Sequence, residues 1–134
     1  MNIQTASFNI GAPQDGLQFW SNRELDFQRV RDITGFDVGD IARIVGVPKT
    51  SVRFDHRMSV DVKVQMEAIT NICNLVFYLF DNEVKTKLWL QTPNPMLGDV
   101  APRDMIRAGR CNKLLKFVVD AVQDGALIRD SSPK

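Results

Sequence analysis

Residues 61–80, DVKVQMEAITNICNLVFYLF, decide the fold of this chain. Apolar residues recur in this stretch at alternating intervals of four and three, the spacing that places side chains on one face of an α-helix. That face carries Val62, Met66, Ile69, Cys73, Val76 and Phe80. A second apolar stripe of Ile72, Leu75 and Leu79 lies beside it. Because the segment is apolar around much of its circumference, we predict a long, central and deeply buried helix.

The rest of the chain also predicts helices, and we find no convincing period-two alternation, so the expected fold class is all-α. Start and stop signals place the further helices at about 24–35, 38–45, 49–54, 82–90, 102–109 and 112–123. Of the 134 residues, 44% are hydrophobic, which is enough for the core of one compact domain or of two small helical units that share a core.

Charge and hydropathy exclude several classes of protein. The 17 basic and 16 acidic side chains nearly cancel, so no whole-molecule field draws the protein to nucleic acid or membrane. The longest apolar run, Leu75–Phe80, is too short to cross a bilayer. The first eleven residues lack the order of a signal peptide, and we expect a cytoplasmic protein.

Residues 41–54, IARIVGVPKTSVRF, fit a helix-turn-helix. Ala42 is small enough for a close helix crossing, and Gly46 four residues later can take the positive φ of the turn. The exposed residues that could contact phosphates and base edges are Lys49, Thr50, Ser51, Arg53 and Arg57. A helical hairpin that only packs against its neighbours remains the alternative.

An enzyme is disfavoured by the residues present. His56 is the single histidine, so a nucleophile–histidine site would have to run through it, and its neighbours Asp55 and Arg57 suggest a solvent-facing side chain. Cys73 and Cys111 have no metal-ligand spacing, and Cys73 falls on the apolar stripe. We expect no catalytic residues, no metal and no cofactor.

The most specific motif is residues 88–109, LWLQTPNPMLGDVAPRDMIRAG. It resembles the toxin-binding domain of the Xre/MbcA/ParS antitoxin family, whose pattern reads W-L-x-x-P-N-x-x-L-G-x-x-x-P-x-x-[LMI]-[LI]-x-x-G. Ten residues fit this pattern in order and spacing: Trp89, Leu90, Pro93, Asn94, Leu97, Gly98, Pro102, Met105, Ile106 and Gly109. The sequence departs from the family at Ala101, where a hydroxyl residue often caps the following helix.

The residues and the resemblance together predict a domain order. Residues 1–22 are expected to be a flexible N-terminal tail, because Gly11, Pro13, Asp15 and Gly16 break any periodicity, and only Leu17, Phe19 and Trp20 could serve as anchors. Residues 23–58 would form an Xre-like helix-turn-helix and residues 59–125 the toxin-binding domain. Residues 126–134 would be a C-terminal tail.

The resemblance also implies a function. Family members neutralise RES-domain or ParT-like toxins, which use NAD, by covering the active-site cleft with the C-terminal helix and tail. Mapped onto this chain, the toxin-binding residues are Lys113, Lys116, Phe117, Asp120, Leu127, Ile128 and Arg129. The basic residues Arg103, Arg107, Arg110, Lys113 and Lys116 could form a solvated face or pair with acidic toxin residues.

Family behaviour further suggests a homodimer and a larger complex with the toxin that represses its own promoter. Two alternatives stay open from the sequence. The last helix and tail could fold back onto the core, or the chain could be a stand-alone helix-turn-helix transcriptional regulator without a toxin.

Overall fold

The computed structural model describes residues 14–124, and within them the chain is mostly helical, which confirms the all-α prediction. The elements are β1 Trp20–Ser21, β2 Glu24–Leu25, α1 Phe27–Thr34, α2 Val38–Val45, α3 Val60–Phe80, α4 Glu83–Gln91, α5 Pro102–Arg107 and α6 Cys111–Asp124. Two 3₁₀ turns occur at Lys49–Ser51 and Pro95–Leu97. No helix within residues 14–124 is long and apolar enough to cross a membrane.

Helix α3 is the central element, as predicted, and α2, α4 and α6 all pack against it. The predicted face is buried along its length and becomes half-buried only at Phe80, the last residue of the helix. The Ser59 side chain begins α3 by accepting a hydrogen bond from the Val62 backbone N–H at 3.2 Å. Asp81 ends the helix in the left-handed conformation with φ 49°.

Helices α1 and α2 follow the cap signals in the sequence. Asp37 and Asp40 form a reciprocal capping box at the start of α2, and Gly46 ends this helix with φ 87°. Helix α1 begins later than the predicted residue 24. Glu24 and Leu25 are instead a strand, and the Asp26 side chain caps the helix by accepting from the Arg29 N–H.

Residues 14–22 differ from the flexible tail that we predicted for residues 1–22. Leu17 and Phe19 are each only 1% exposed and belong to the main core, and β1 pairs with β2 in an antiparallel hairpin. The two apolar anchors thus bury enough surface to order this part of the chain. Residues 1–13 lie outside the described residues.

Polar groups fasten this N-terminal segment to α3. The buried Asn74 side chain accepts from the Leu17 N–H through Oδ1 and donates to Asp15 Oδ1 through Nδ2, both at 3.0 Å. The Asp15 carboxylate also accepts from the Trp20 backbone N–H at 2.7 Å. The Trp20 indole N–H donates to Thr70 Oγ1 at 3.0 Å. Asn74 and Thr70 are therefore buried polar residues with their hydrogen bonds satisfied.

The predicted helix over residues 49–54 is wrong, because only the 3₁₀ turn Lys49–Ser51 forms and Val52 is extended. Tertiary contacts hold the following residues away from helical geometry. The Phe54 carbonyl accepts from the Leu25 N–H at 3.2 Å, and the Phe54 ring stacks on Phe27 with 4.4 Å between centroids. Val52 is buried at the same time. Packing of these side chains outweighs the local helical signal.

An arginine joins the two halves of the chain. Arg29 of α1 donates two hydrogen bonds to the Glu83 carboxylate of α4, at 3.0 and 3.1 Å, and a third from Nε to the Leu17 carbonyl at 2.9 Å. The hydrogen bond from Arg29 holds the pKa of Glu83 below its ordinary value. The Gln91 amide also donates to the Ile33 carbonyl at 3.2 Å.

Candidate partner-binding surface

The first half of the residue 89–109 motif forms a closed loop after α4. Asn94 organises it, since its Oδ1 accepts from the Met96 N–H at 2.9 Å and its backbone N–H donates to the Val100 carbonyl at 3.2 Å. The Asp99 N–H returns to the Asn94 carbonyl at 3.0 Å, and Gly98 makes this turn possible with φ 74°. The motif therefore encodes a specific loop shape.

The second half of the motif builds α5. Pro102 stands at its first position, and Met105 and Ile106 are buried in the core. Ala101 sits at the N-cap and offers no side-chain hydrogen bond to the helix, as the departure at this position predicts. Gly109 follows α5 with φ 79°.

An apolar groove of about 690 Å³ opens between the motif loop and α6. We define this apolar groove by Phe80, Lys85, Leu88, Trp89, Met96 and Phe117, together with loop residues 92–95. The Trp89 and Phe117 rings form its floor, stacked with 6.5 Å between centroids and 15° between planes. Trp89, Pro93 and Asn94 of the motif and Phe117 of the predicted toxin-binding helix thus meet in one site.

The apolar groove has an exposed apolar rim. The Leu88 side chain is 60% exposed and that of Met96 is 62% exposed. Val84, one helical turn before Leu88 on the same face of α4, is similarly exposed. Contiguous exposed apolar side chains of this size are typical of interaction surfaces.

The remaining predicted toxin-binding residues are distributed along α6. Lys113, Lys116 and Asp120 are exposed, and Lys116 Nζ lies 3.2 Å from the Asp120 carboxylate. Phe117 is half-buried and reaches the apolar groove. The other predicted toxin-binding residues, Leu127, Ile128 and Arg129, lie outside the described residues, and their role stays a prediction.

Arg103 and Arg107 of α5 contact residues that precede α3, while Arg110, Lys113 and Lys116 of the basic cluster are exposed. Arg107 lies 3.4 Å from Asp40 and 2.9 Å from Asp104, and its guanidinium stands 5.2 Å from the Phe36 ring centroid. Arg103 donates to the Thr34 carbonyl at 3.5 Å, while its buried Nε has no hydrogen-bond partner within residues 14–124.

The Asp40 carboxylate is the acidic partner in this contact. Burial acts to raise the pKa of Asp40, but the backbone N–H of Asp37 and the guanidinium groups of Arg43 and Arg107 outweigh it and hold the pKa below its ordinary value. Arg107 of α5 therefore binds an ionised carboxylate at the start of α2.

The five predicted DNA-binding residues, Lys49, Thr50, Ser51, Arg53 and Arg57, are all exposed. They lie on the 3₁₀ turn and the irregular chain after it, and Arg57 pairs with Asp55 at 3.2 Å. A recognition helix normally fills the major groove, and a three-residue turn extends only about 6 Å. DNA contact by these residues stays a prediction, without the helix on which it was based.

The groups considered for catalysis differ in burial, since Cys73 and Cys111 are buried and the histidine is not. His56 is exposed beside Asp55. Burial raises the pKa of the Cys73 thiol, and it raises that of Cys111 to about 11, so both are protonated at neutral pH. Within residues 14–124 no three His, Cys, Asp or Glu side chains are grouped so as to hold a metal ion.

The rim residues Lys85, Leu88 and Met96 are not among the functional residues that the sequence predicts. A signal was present, because Val84 and Leu88 are spaced four apart, on a different side of α4 from the buried Leu90. A short helix with two apolar sides predicts a second contact surface.

No protein-family model matches the chain, and no curated protein matches it either. Among solved structures, the chain is similar to one in the crystal structure of the M. tuberculosis MbcT–MbcA toxin–antitoxin complex. The sequence identity is 20%, the coverage is 73% of this chain and 90% of that chain, and the TM-score is 0.49. An identity and a TM-score this low assign no partner or activity to the present chain.

Proposed function

We propose that this chain is the antitoxin of a type II toxin–antitoxin pair. Its partner would be a RES-domain or ParT-like toxin that uses NAD, and the antitoxin would cover the active-site cleft of that toxin. The observation that carries the proposal is the ten-residue match to the antitoxin pattern between Trp89 and Gly109. Asn94, Gly98 and Pro102 each have a defined role in the loop and in α5, which supports the match as a structural module.

The chemistry of the described residues favours binding over catalysis. The buried thiols are protonated at neutral pH. The exposed His56 stands between Asp55 and Arg57, which form an ion pair with each other. The surface around α6 instead combines an aromatic floor, exposed aliphatic side chains and separate lysines. Aromatic and aliphatic anchors surrounded by charge are typical of protein–protein contacts.

In this proposal α6 is the helix that contacts the toxin. Its outward residues Lys113, Lys116 and Asp120 would contact the mouth of the cleft, and Leu127, Ile128 and Arg129 would enter it. A homodimer that represses its own promoter through Lys49, Arg53 and their neighbours is a further part of the proposal. The 3₁₀ turn weighs against the alternative of a stand-alone helix-turn-helix regulator, because that function depends on the recognition element alone.

Co-expression with the product of the neighbouring gene tests the proposal. That product is first expressed alone in a bacterial host, with growth and cellular NAD as readouts, and then together with the tagged chain. We expect toxicity and NAD loss in the first case, and rescue with a stable purified complex in the second. Truncation after Gly125 should abolish rescue.

A control separates the two candidate functions. The double variant Lys49→Ala, Arg53→Ala should leave rescue and the complex unchanged, because in this proposal these two residues contact DNA and not the toxin. Absence of toxicity and of a complex would refute the antitoxin proposal. Salt-dependent operator binding that is lost in the double variant, without any toxin, would instead establish the regulator.

A further inference from the structure

The apolar groove shares Phe117 with the helix-and-tail site that the antitoxin resemblance implies, but it extends beyond that site. It is built by α4, the motif loop and the side of α6, and Leu88 and Met96 on its rim belong to neither α6 nor the tail. Within residues 14–124 these two side chains remain exposed by 60% and 62%. Burying a Leu or Met side chain in a partner contributes about 1.5–3 kcal/mol. Burial of Leu88 and Met96 in a partner would therefore contribute substantially to binding.

The charge of the apolar groove indicates the chemistry of its occupant. Of the described residues that line it, Lys85 is the one that carries a charge, and none is a carboxylate. Lys113 lies one helical turn before Phe117, about 6 Å along α6. Two exposed acidic residues adjoin the lining, Asp81 after Phe80 and Asp99 at the Asn94 carbonyl, and Lys116 bridges the carboxylate of Asp120. A partner segment with a carboxylate next to its apolar side chains would pair with Lys85 and Lys113.

The dimensions of the apolar groove limit the occupant to a short segment. Its wall along α4 extends from Lys85 to the C-cap residue Thr92, which is about 10 Å at the rise of an α-helix. That length accommodates two turns of a helix with apolar side chains at positions i and i+3 or i+4, or three residues of extended chain. The stacked Trp89 and Phe117 rings offer a flat, rigid contact surface for those side chains.

We propose that the apolar groove is a second docking site for the toxin, which adjoins the helix-and-tail site at Phe117. It would take a short toxin segment in which two apolar side chains stand next to Asp or Glu. This inference rests on the proposed antitoxin function. Attachment at the groove as well as at the tail would let the antitoxin hold the toxin while the tail occupies the cleft, since the second contact forms within an existing complex.

Three variants test the apolar groove with the purified product of the neighbouring gene as the probe. Leu88→Asp places a carboxylate on the rim, and Leu88→Lys places a cation of similar polarity at the same position. The matched control is Val64→Asp, because Val64 is 59% exposed on α3 and lies about 24 Å along the helix axis from Phe80. Thermal unfolding checks that all three variants fold like the wild type.

We expect Leu88→Asp to raise the dissociation constant by about 30-fold or more, as for a residue at the centre of an interface. Leu88→Lys should bind about 10-fold more tightly than Leu88→Asp at low ionic strength, because only the lysine attracts an acidic partner. The difference between the two should shrink at about 0.5 M salt. Val64→Asp should bind like the wild type.

The outcomes separate this inference from the antitoxin proposal. If the wild type binds the toxin and Leu88→Asp binds it with the same affinity, the docking site is overturned and the antitoxin function stands. Equal loss in Leu88→Asp and Leu88→Lys at every ionic strength overturns the acidic character of the partner segment, and equal loss in Val64→Asp overturns the location. If the wild type forms no complex, both the function and the docking site are refuted.

Photocrosslinking identifies the occupant directly. A benzoylphenylalanine at position 88 should crosslink the toxin, and mass spectrometry should place the link in a segment with apolar residues next to Asp or Glu. The same probe at position 64 is the control and should give no such product. A link from position 88 to a second copy of this chain, and none to the toxin, would show that the site is a dimer contact and overturn the proposal.

Discussion

Replacement of Asn74 by alanine tests whether the segment 14–25 is an integral part of the fold. Asn74 is 5% exposed in the middle of α3, where its side chain binds both the Leu17 N–H and the Asp15 carboxylate. The alanine variant removes both hydrogen bonds at once. Asn71→Ala is the matched control, because Asn71 lies on the same helix and is exposed.

The expected cost follows from the two hydrogen bonds. Leaving the buried Leu17 N–H without an acceptor costs about 1–3 kcal/mol, and losing the partly exposed bond to Asp15 costs about 0.5–1.5 kcal/mol. We therefore expect Asn74→Ala to lower the free energy of unfolding by about 2–4 kcal/mol. For a chain of this size, that loss lowers Tm by roughly 10 °C. Asn71→Ala should change the stability by less than about 0.5 kcal/mol.

Urea unfolding followed by circular dichroism gives the change in stability, and hydrogen exchange gives its location. The amides of Leu17, Phe19 and Trp20 should lose protection in Asn74→Ala before those of α3. Trp20 fluorescence should also shift to the red if its indole leaves Thr70. Equal stabilities of the two variants, or unchanged protection of residues 17–20, would refute the reasoning that Asn74 anchors this segment.

Two further predictions concern pH and capping. The folded-state pKa values of Asp40 and Glu83 lie below their ordinary values of 3.8 and 4.5. The stability that these carboxylates contribute is therefore complete above the ordinary pKa, and it is lost as the pH falls through the lower folded-state value. The urea midpoint should therefore drop steadily below about pH 5, and Glu83→Gln should be less stable at pH 7 and show a shallower drop; an unchanged slope would contradict the assignment to Glu83. Ala101→Ser should stabilise the protein by about 0.5–1 kcal/mol, because a hydroxyl at the N-cap of α5 can accept a free backbone N–H. Ala108→Ser, at the other end of α5, is the control, and a Tm for Ala101→Ser that does not exceed that of the control would show that the cap does not form.

The sequence by itself determined the helices whose signals are local. The apolar spacing of residues 61–80 predicts α3, and Asp37, Asn82 and Pro102 mark the starts of α2, α4 and α5. A hydrophobic face and a cap each depend on residues within a few positions of one another, so they can be read without knowing the fold. The motif from Trp89 to Gly109 likewise predicts its own loop and helix.

Only the tertiary structure decided features that join distant parts of the chain. Residues 14–22 are ordered because Leu17 and Phe19 enter the core and because Asn74, more than fifty positions away, binds Leu17 and Asp15. Residues 52–54 are not helical because Phe54 stacks on Phe27 and its carbonyl accepts from the Leu25 N–H. The apolar groove exists because α6 brings Phe117 beside Trp89. Such contacts depend on how helices pack, and their energies exceed local propensities of less than about 1 kcal/mol per residue.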